Sequence, residues 1–182
     1  QSGTYYENVN VNKALTLRGV DSGSGLPVVD AGRSGDAIIL RANNCTLQDF
    51  VAMNSSGQSG IRVLSSYNTI SGNTAVGNYY GIAIRSSSIG NTISGNTATD
   101  NSYYGIRLVS SSNNTVTGNT CIRGTGQTSD YASDQYTILL SGTDNNYNLI
   151  SSNNCMGKAV VVEGGTGNSA WGNKFDNTDD LP

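Results

Sequence analysis

The chain has no histidine, and it holds only 2 Pro, 2 Phe and 1 Trp in 182 residues. Without His, a His-dependent nucleophilic triad and a His-ligated metal centre are excluded. Its three cysteines, Cys45, Cys121 and Cys155, are an odd number with no C-x-x-C spacing. That indicates neither a disulfide framework nor a zinc knuckle. Charge is also scarce: Asp, Glu, Lys and Arg make up 13%, with a net charge of −3. A chain disordered by charge repulsion is thereby excluded, as is a nucleic-acid binder whose whole domain is basic. No run approaches the roughly 18 apolar residues that a membrane-spanning helix needs. There is no initiator Met and no signal peptide, and the chain opens in mid-pattern. This reads as a processed product or a piece of a larger protein.

Small polar residues fill the gap, including 23 Gly and 23 Asn. They fall into a repeat. Asn68-Thr-Ile-Ser-Gly-Asn73-Thr-Ala75, Asn91-Thr-Ile-Ser-Gly-Asn96-Thr-Ala98 and Asn114-Thr-Val-Thr-Gly-Asn119-Thr-Cys121 follow one another at steps of 23. Diverged copies end at Cys155, after a step of 34, and at Phe175, after a step of 20. A second apolar run keeps the same period: Ala37–Leu40, Gly60–Val63, Gly81–Ile84, Gly105–Leu108, Thr137–Leu140 and Ala159–Val162. Runs this short, separated by Gly, Asn and Ser, read as strands and turns, and no segment keeps a helical spacing.

One such unit cannot bury its own apolar side, whereas stacked units share a continuous core. Strand alternation sends Ile61 and Val63 inward and Arg62 and Leu64 outward. The predicted inner columns begin at Ile38, Leu40 and Leu47. A fourth, Ala52-Ala75-Ala98-Cys121-Cys155-Phe175, is placed at a corner. Asn73, Asn96, Asn119 and Asn153 are expected to bond as a ladder, and Gly-Asn corners to supply positive φ. The fold class is therefore all-β: a right-handed, single-stranded parallel β-helix, a solenoid of the pectin-lyase-like kind, with roughly seven rungs at about 4.8 Å each.

The repeat reads as one β-helix domain over 1–182, with an inserted loop at 123–136 and a tail at 177–182. Trp171 and Phe175 are expected to close the core. Solenoid ends expose apolar surface and unpaired backbone, so end-to-end self-association or flanking domains are expected partners.

Alternation also places Arg41, Arg62, Arg85 and Arg107 on one outward face. Tyr79-Tyr80 and Tyr103-Tyr104 precede the same strand, with Tyr136 in the matching place one rung later. Arg123, Tyr131 and Asp134 belong to the loop nearby. Flat aromatic faces suit sugar rings, and guanidinium groups suit carboxylate or sulfate. The leading expectation is an extracellular or cell-surface module that binds acidic polysaccharide through this face. A uronate lyase is an alternative, because Arg107, Arg123, Tyr104 and Tyr131 supply the residue types for neutralising a carboxylate and abstracting a proton. A two-carboxylate glycoside hydrolase is disfavoured, since Asp49, Asp100, Asp130 and Asp134 form no convincing pair on one face. A third reading is a structural spacer or assembly unit of a surface protein. No cofactor, metal, nucleic acid or membrane span is expected.

The residues Gly3-Thr-Tyr-Tyr-Glu-Asn8-Val9 with Leu15-Thr-Leu-Arg-Gly19, followed by the Asn-Thr-Ile-Ser-Gly-Asn-Thr blocks, resemble a known group. They look like the right-handed β-helix domains named for carbohydrate-binding and sugar-hydrolase proteins. That group includes periplasmic copper-binding maturation proteins and repeat modules of archaeal cell-surface proteins and disaggregatases. The resemblance spans nearly the whole chain. It implies an extracytoplasmic setting and dealings with polysaccharide, and it carries no catalytic residue over. In that group a strand-and-helix segment usually precedes the Gly3-Thr-Tyr-Tyr stretch. The copper handling implied by part of the group is opposed by the absence of His.

Overall fold

The computed structural model of the chain describes residues 1–123, 136–156, 158–162 and 164–175. Among the described residues twenty-two strands form three parallel sheets, of eight, seven and seven strands. Each turn of the chain lays one strand in each sheet. In one regular turn these are Thr74–Val76 in the first sheet, Tyr80–Ile84 in the second and Thr92–Ser94 in the third. The result is the expected parallel β-helix, with seven complete turns and the start of an eighth. No helix occurs among the described residues.

The inner columns pair as alternation requires. Ile38, Ile61, Ile82, Ile106 and Ile138 stand in register, and Leu47, Ile70, Ile93, Val116 and Ile150 do the same in the third sheet. All ten are essentially inaccessible to solvent. The column Ala52-Ala75-Ala98-Cys121-Cys155 is the inner row of a complete sheet and not of a corner. At the N-terminal end the core opens into a cavity of about 230 Å³ among Val9, Leu17, Val29, Ile38 and Leu47.

The corners divide their labour differently from the expectation. Positive φ is taken by Gly72, Gly95 and Gly118, at 64°, 63° and 63°, with Asp49 and Ser152 at the equivalent points. The following Asn residues supply the hydrogen bonds instead. Asn96 Oδ1 accepts from the backbone N–H and from Nδ2 of Asn73, both at 3.0 Å, while Asn96 Nδ2 donates to the carbonyl of Ile70 at 2.9 Å. This ladder continues through Asn119, Asn153 and Asn173. A second ladder runs through Asn68, Asn91, Asn114, Asn148 and Asn168, and a third, shorter one joins Asn78 and Asn101. A buried amide is costly unless paired, and here the amides bond backbone groups of the preceding turn and, along each ladder, the amide of the next.

Trp171 does not close the core. It is paired with Ser151 on the outward row and is 58% exposed, while Ala170 takes the inward position. The tail at 177–182 and most of the 123–136 loop lie outside the described residues.

Candidate functional site

The candidate face is the outer side of the second sheet. Its geometry starts at the corner that leads into that sheet. Tyr80 and Tyr104 are register partners, and each is followed by a glycine. Those glycines are needed for space: a Cβ on Gly105 would stand 2.6 Å from the Thr137 carbonyl oxygen, and one on Gly81 would clash with the Gly105 carbonyl. The close approach lets successive Tyr-Tyr pairs stack. The Tyr80 and Tyr104 rings lie 5.5 Å apart at 9°, and Tyr79 and Tyr103 lie 4.8 Å apart at 23°. Within each pair the rings meet edge to face, at 4.7 Å and 5.0 Å. Four rings thus form one block, in geometries that contribute about 0.5–1.5 kcal/mol per pair beyond burial.

The arginines alternate between two outward rows. Arg62 and Arg107 share a row with Ile39, Ala83 and Leu139. Arg41 and Arg85 follow the inward residues Leu40 and Ile84 and so occupy the next row, with backbone N–H groups bonded to the Val11 and Val63 carbonyls. The alternation does not keep the charged ends apart. Arg85 Cζ reaches within 5.1 Å of the Tyr80 ring centroid, and Arg107 Cζ sits 5.3 Å from both Tyr80 and Tyr104. Ala83, although outward, is fully buried.

The three central arginines differ in what they bond. Arg62 Nη1 donates to Asp36 Oδ2 at 3.0 Å and forms an ion pair with it. Asp36 is itself buried and also accepts the Ser59 N–H at 2.8 Å. Arg107 donates to the Tyr80 hydroxyl and to Ser141 Oγ, both at 3.1 Å. Neither Arg85 nor Arg107 pairs with a carboxylate among the described residues. Burial pushes the Arg85 guanidinium below the ordinary arginine value, and the like charges of Arg107 and Arg62 push it further. Among the described residues, the Nε–H groups of Arg62, Arg85 and Arg107 are buried without an acceptor. The Tyr79 hydroxyl is held above its ordinary value by burial, then by Tyr80 and Tyr103.

The structure thus brings Arg62, Arg85, Arg107, Tyr79, Tyr80, Tyr103 and Tyr104 together, with Arg41 exposed at the edge. Arg123 and Tyr136 fall at strand ends, in Thr120–Arg123 and Tyr136–Ser141. Tyr131 and Asp134 lie outside the described residues. The sequence reading missed Asp36, Gln58 and Ser141. Gln58 accepts from Arg62 at 3.4 Å. Aligning Asp36-Ala37-Ile38 on Ser59-Gly60-Ile61 and Tyr80-Gly81-Ile82 would have found Asp36, since all three stand in one register row.

The thiols are placed elsewhere. Cys121 and Cys155 are register partners in the first sheet, both buried, and burial raises the Cys121 thiol well above its ordinary value. Among the described residues no cluster of three or more His, Cys, Asp or Glu is placed to hold a metal ion.

Neither a curated protein nor a solved structure matches the chain. A family model described as periplasmic copper-binding protein (NosD) matches residues 2–181. With that match over nearly every residue, and with the repeat now seen as a parallel β-solenoid, the chain belongs to the NosD family.

Proposed function

We propose that the chain is an extracytoplasmic β-helix module that binds acidic polysaccharide along the outer face of its second sheet. One observation carries this reading. The Arg85 and Arg107 guanidinium groups, on successive turns, flank the Tyr80 ring and have no carboxylate partner among the described residues. Uncompensated, partly desolvated cations gain more from an arriving anion than water-exposed ones do. The tyrosine rings offer the apolar face that a pyranose stacks on. Successive turns stand about 4.8 Å apart, so a linear polymer lying along the solenoid meets one cation per turn. The family's description as periplasmic supports the extracytoplasmic setting. No helix among the described residues is long and apolar enough to cross a membrane.

That description also names copper, and the residues of this chain do not fit it. A copper site draws on His, Met or accessible thiolate. This chain has no His, Met53 and Met156 stand four turns apart, and all three thiols are buried, with that of Cys121 disfavoured from ionising. No metal step is assigned to it.

The test is light scattering of polygalacturonate and of dextran, with and without the protein. A stable rise in particle size with polygalacturonate alone is the expected result. A fall with time marks the lyase alternative, and no change with either polymer favours a structural spacer.

A further inference from the structure

Around the corner from the arginine row, a polar depression of about 260 Å³ opens between the first and second sheets. Arg33, Asn54, Ser56, Tyr79 and Ser102 line it. Gly57 and Gly77 also line it, and a Cβ on either would meet nothing within 4 Å. Both hold positive φ, at 74° and 66°, so glycine is favoured there and the space stays empty. Drug-sized ligands occupy pockets of roughly 300 Å³ and more, so this one is cut for a single sugar ring.

Its chemistry is not that of a corner filled by chance. The Arg33 side chain is exposed and has no ion pair among the described residues. Arg33 is held at φ 68°, a conformation that costs a bulky residue about 1–2 kcal/mol. Asn54 donates through Nδ2 to Asp30, which fixes its amide. The Ser56 hydroxyl makes no hydrogen bond to protein among the described residues. Tyr79 belongs to the four-ring block, stacked on Tyr103 and edge-on to Tyr80. The same block therefore presents Tyr80 to the arginine row and Tyr79 to the depression.

We infer that this depression is a separate subsite for one acidic sugar residue, with Tyr79 against the ring and Arg33 on the carboxylate. The inference rests on the saccharide reading of the tyrosine block and adds a second binding point to it. A ring face beside a single unpaired cation matches a uronate better than a neutral sugar or an inorganic anion.

The test is an NMR titration of the whole chain with free glucuronate, and with glucose as the neutral counterpart. Glucuronate is expected to shift the backbone amides of Gly57, Gly77, Tyr79 and Ser102, and glucose to shift them weakly. Arg33→Asn tolerates the left-handed backbone and removes the charge, and it should weaken glucuronate about tenfold. Gly57→Asn should block the depression while keeping positive φ. Shifts confined to the Arg85 and Arg107 region would overturn the subsite and leave the polymer reading intact. Equal response to glucose, or indifference to Arg33→Asn, would overturn the acidic assignment. Shifts in the depression without any binding of polygalacturonate would support the subsite and remove the polymer reading.

Discussion

The corners and the arginine face both place polar groups out of water, and they do so with opposite results. At the corners, Asn73, Asn96 and Asn119 are about 1% exposed, and each amide bonds both the next turn and a strand carbonyl. On the second-sheet face, three arginine Nε–H groups are buried without an acceptor among the described residues, and two of those guanidinium groups have no counter-ion among them. A fully paired polar network fixes a fold and has nothing left to offer a ligand. A partly paired one costs stability and leaves donors for an incoming anion. The difference separates the residues that hold the solenoid from those proposed to work on it.

Substitutions at the corners should give the largest effects, and on stability alone. Asn96→Ala strands the Asn73 N–H in the interior and removes the second donor to the Ile70 carbonyl. With buried unsatisfied groups costing about 1–3 kcal/mol each, the loss should reach about 3 kcal/mol. In a chain of this length that lowers Tm by roughly 10 °C, readable in a thermal melt. Retention on polygalacturonate below the transition should not change, and a change would break the division between corner and face.

The face should behave in the reverse way. Arg85→Ala combined with Arg107→Ala is expected to weaken polygalacturonate binding by at least about tenfold, equivalent to 1.4 kcal/mol. Tm should move by no more than about 3 °C, because the lost cation–π contacts are worth about 0.5–1 kcal/mol each and relief of like-charge repulsion offsets them. A collapse of the fold in this variant would show that the arginines are structural.

Asp36→Asn sharpens the comparison within the face. It keeps an acceptor for the Ser59 N–H and removes the counter-ion of Arg62. Stability should fall by about 1 kcal/mol, while affinity for the acidic polymer rises a few-fold as a third cation is released. Isothermal calorimetry with a matched urea melt reads both.

The smallest effect concerns pH. The folded chain holds the Tyr79 proton above the ordinary tyrosine value of 10.0, so unfolding releases it between that value and the raised one. The contribution is complete below pH 10 and is lost as pH rises through the folded value. Stability should therefore fall above about pH 10, and less so in Tyr79→Phe, as followed by urea midpoints across the alkaline range.

The fold was legible because inward residues recur with the turn and alternate within each strand. Ile61, Ile82 and Ile106 announce both facts at once. The ladder through Asn73 was legible too, whereas those through Asn68 and Asn78 needed the corner geometry. Trp171 misled because size suggested burial, while its register, opposite Ser151, decided exposure. On the face, residue types and sides were readable from alternation. The bonds were not, because long side chains cross rows: Arg85 returns over Ala83 to Tyr80, and Arg62 reaches back one turn to Asp36. The depression beside Tyr79 lies on a periodic column, since Arg33, Ser56, Tyr79 and Ser102 follow one another at steps of 23, but the residue type changes at each turn and so no motif marked it.

The most direct measurement is the salt dependence of polygalacturonate binding by the wild-type chain and by the Arg85→Ala, Arg107→Ala variant. Releasing counterions from a polyanion makes the logarithm of the binding constant fall linearly with the logarithm of salt concentration, by roughly 0.7 of a unit of slope per cation engaged on a single-chain polyanion. Weaker binding and a slope shallower by roughly 1.4 are expected in the variant. Equal affinity and equal slope in the two proteins would contradict it.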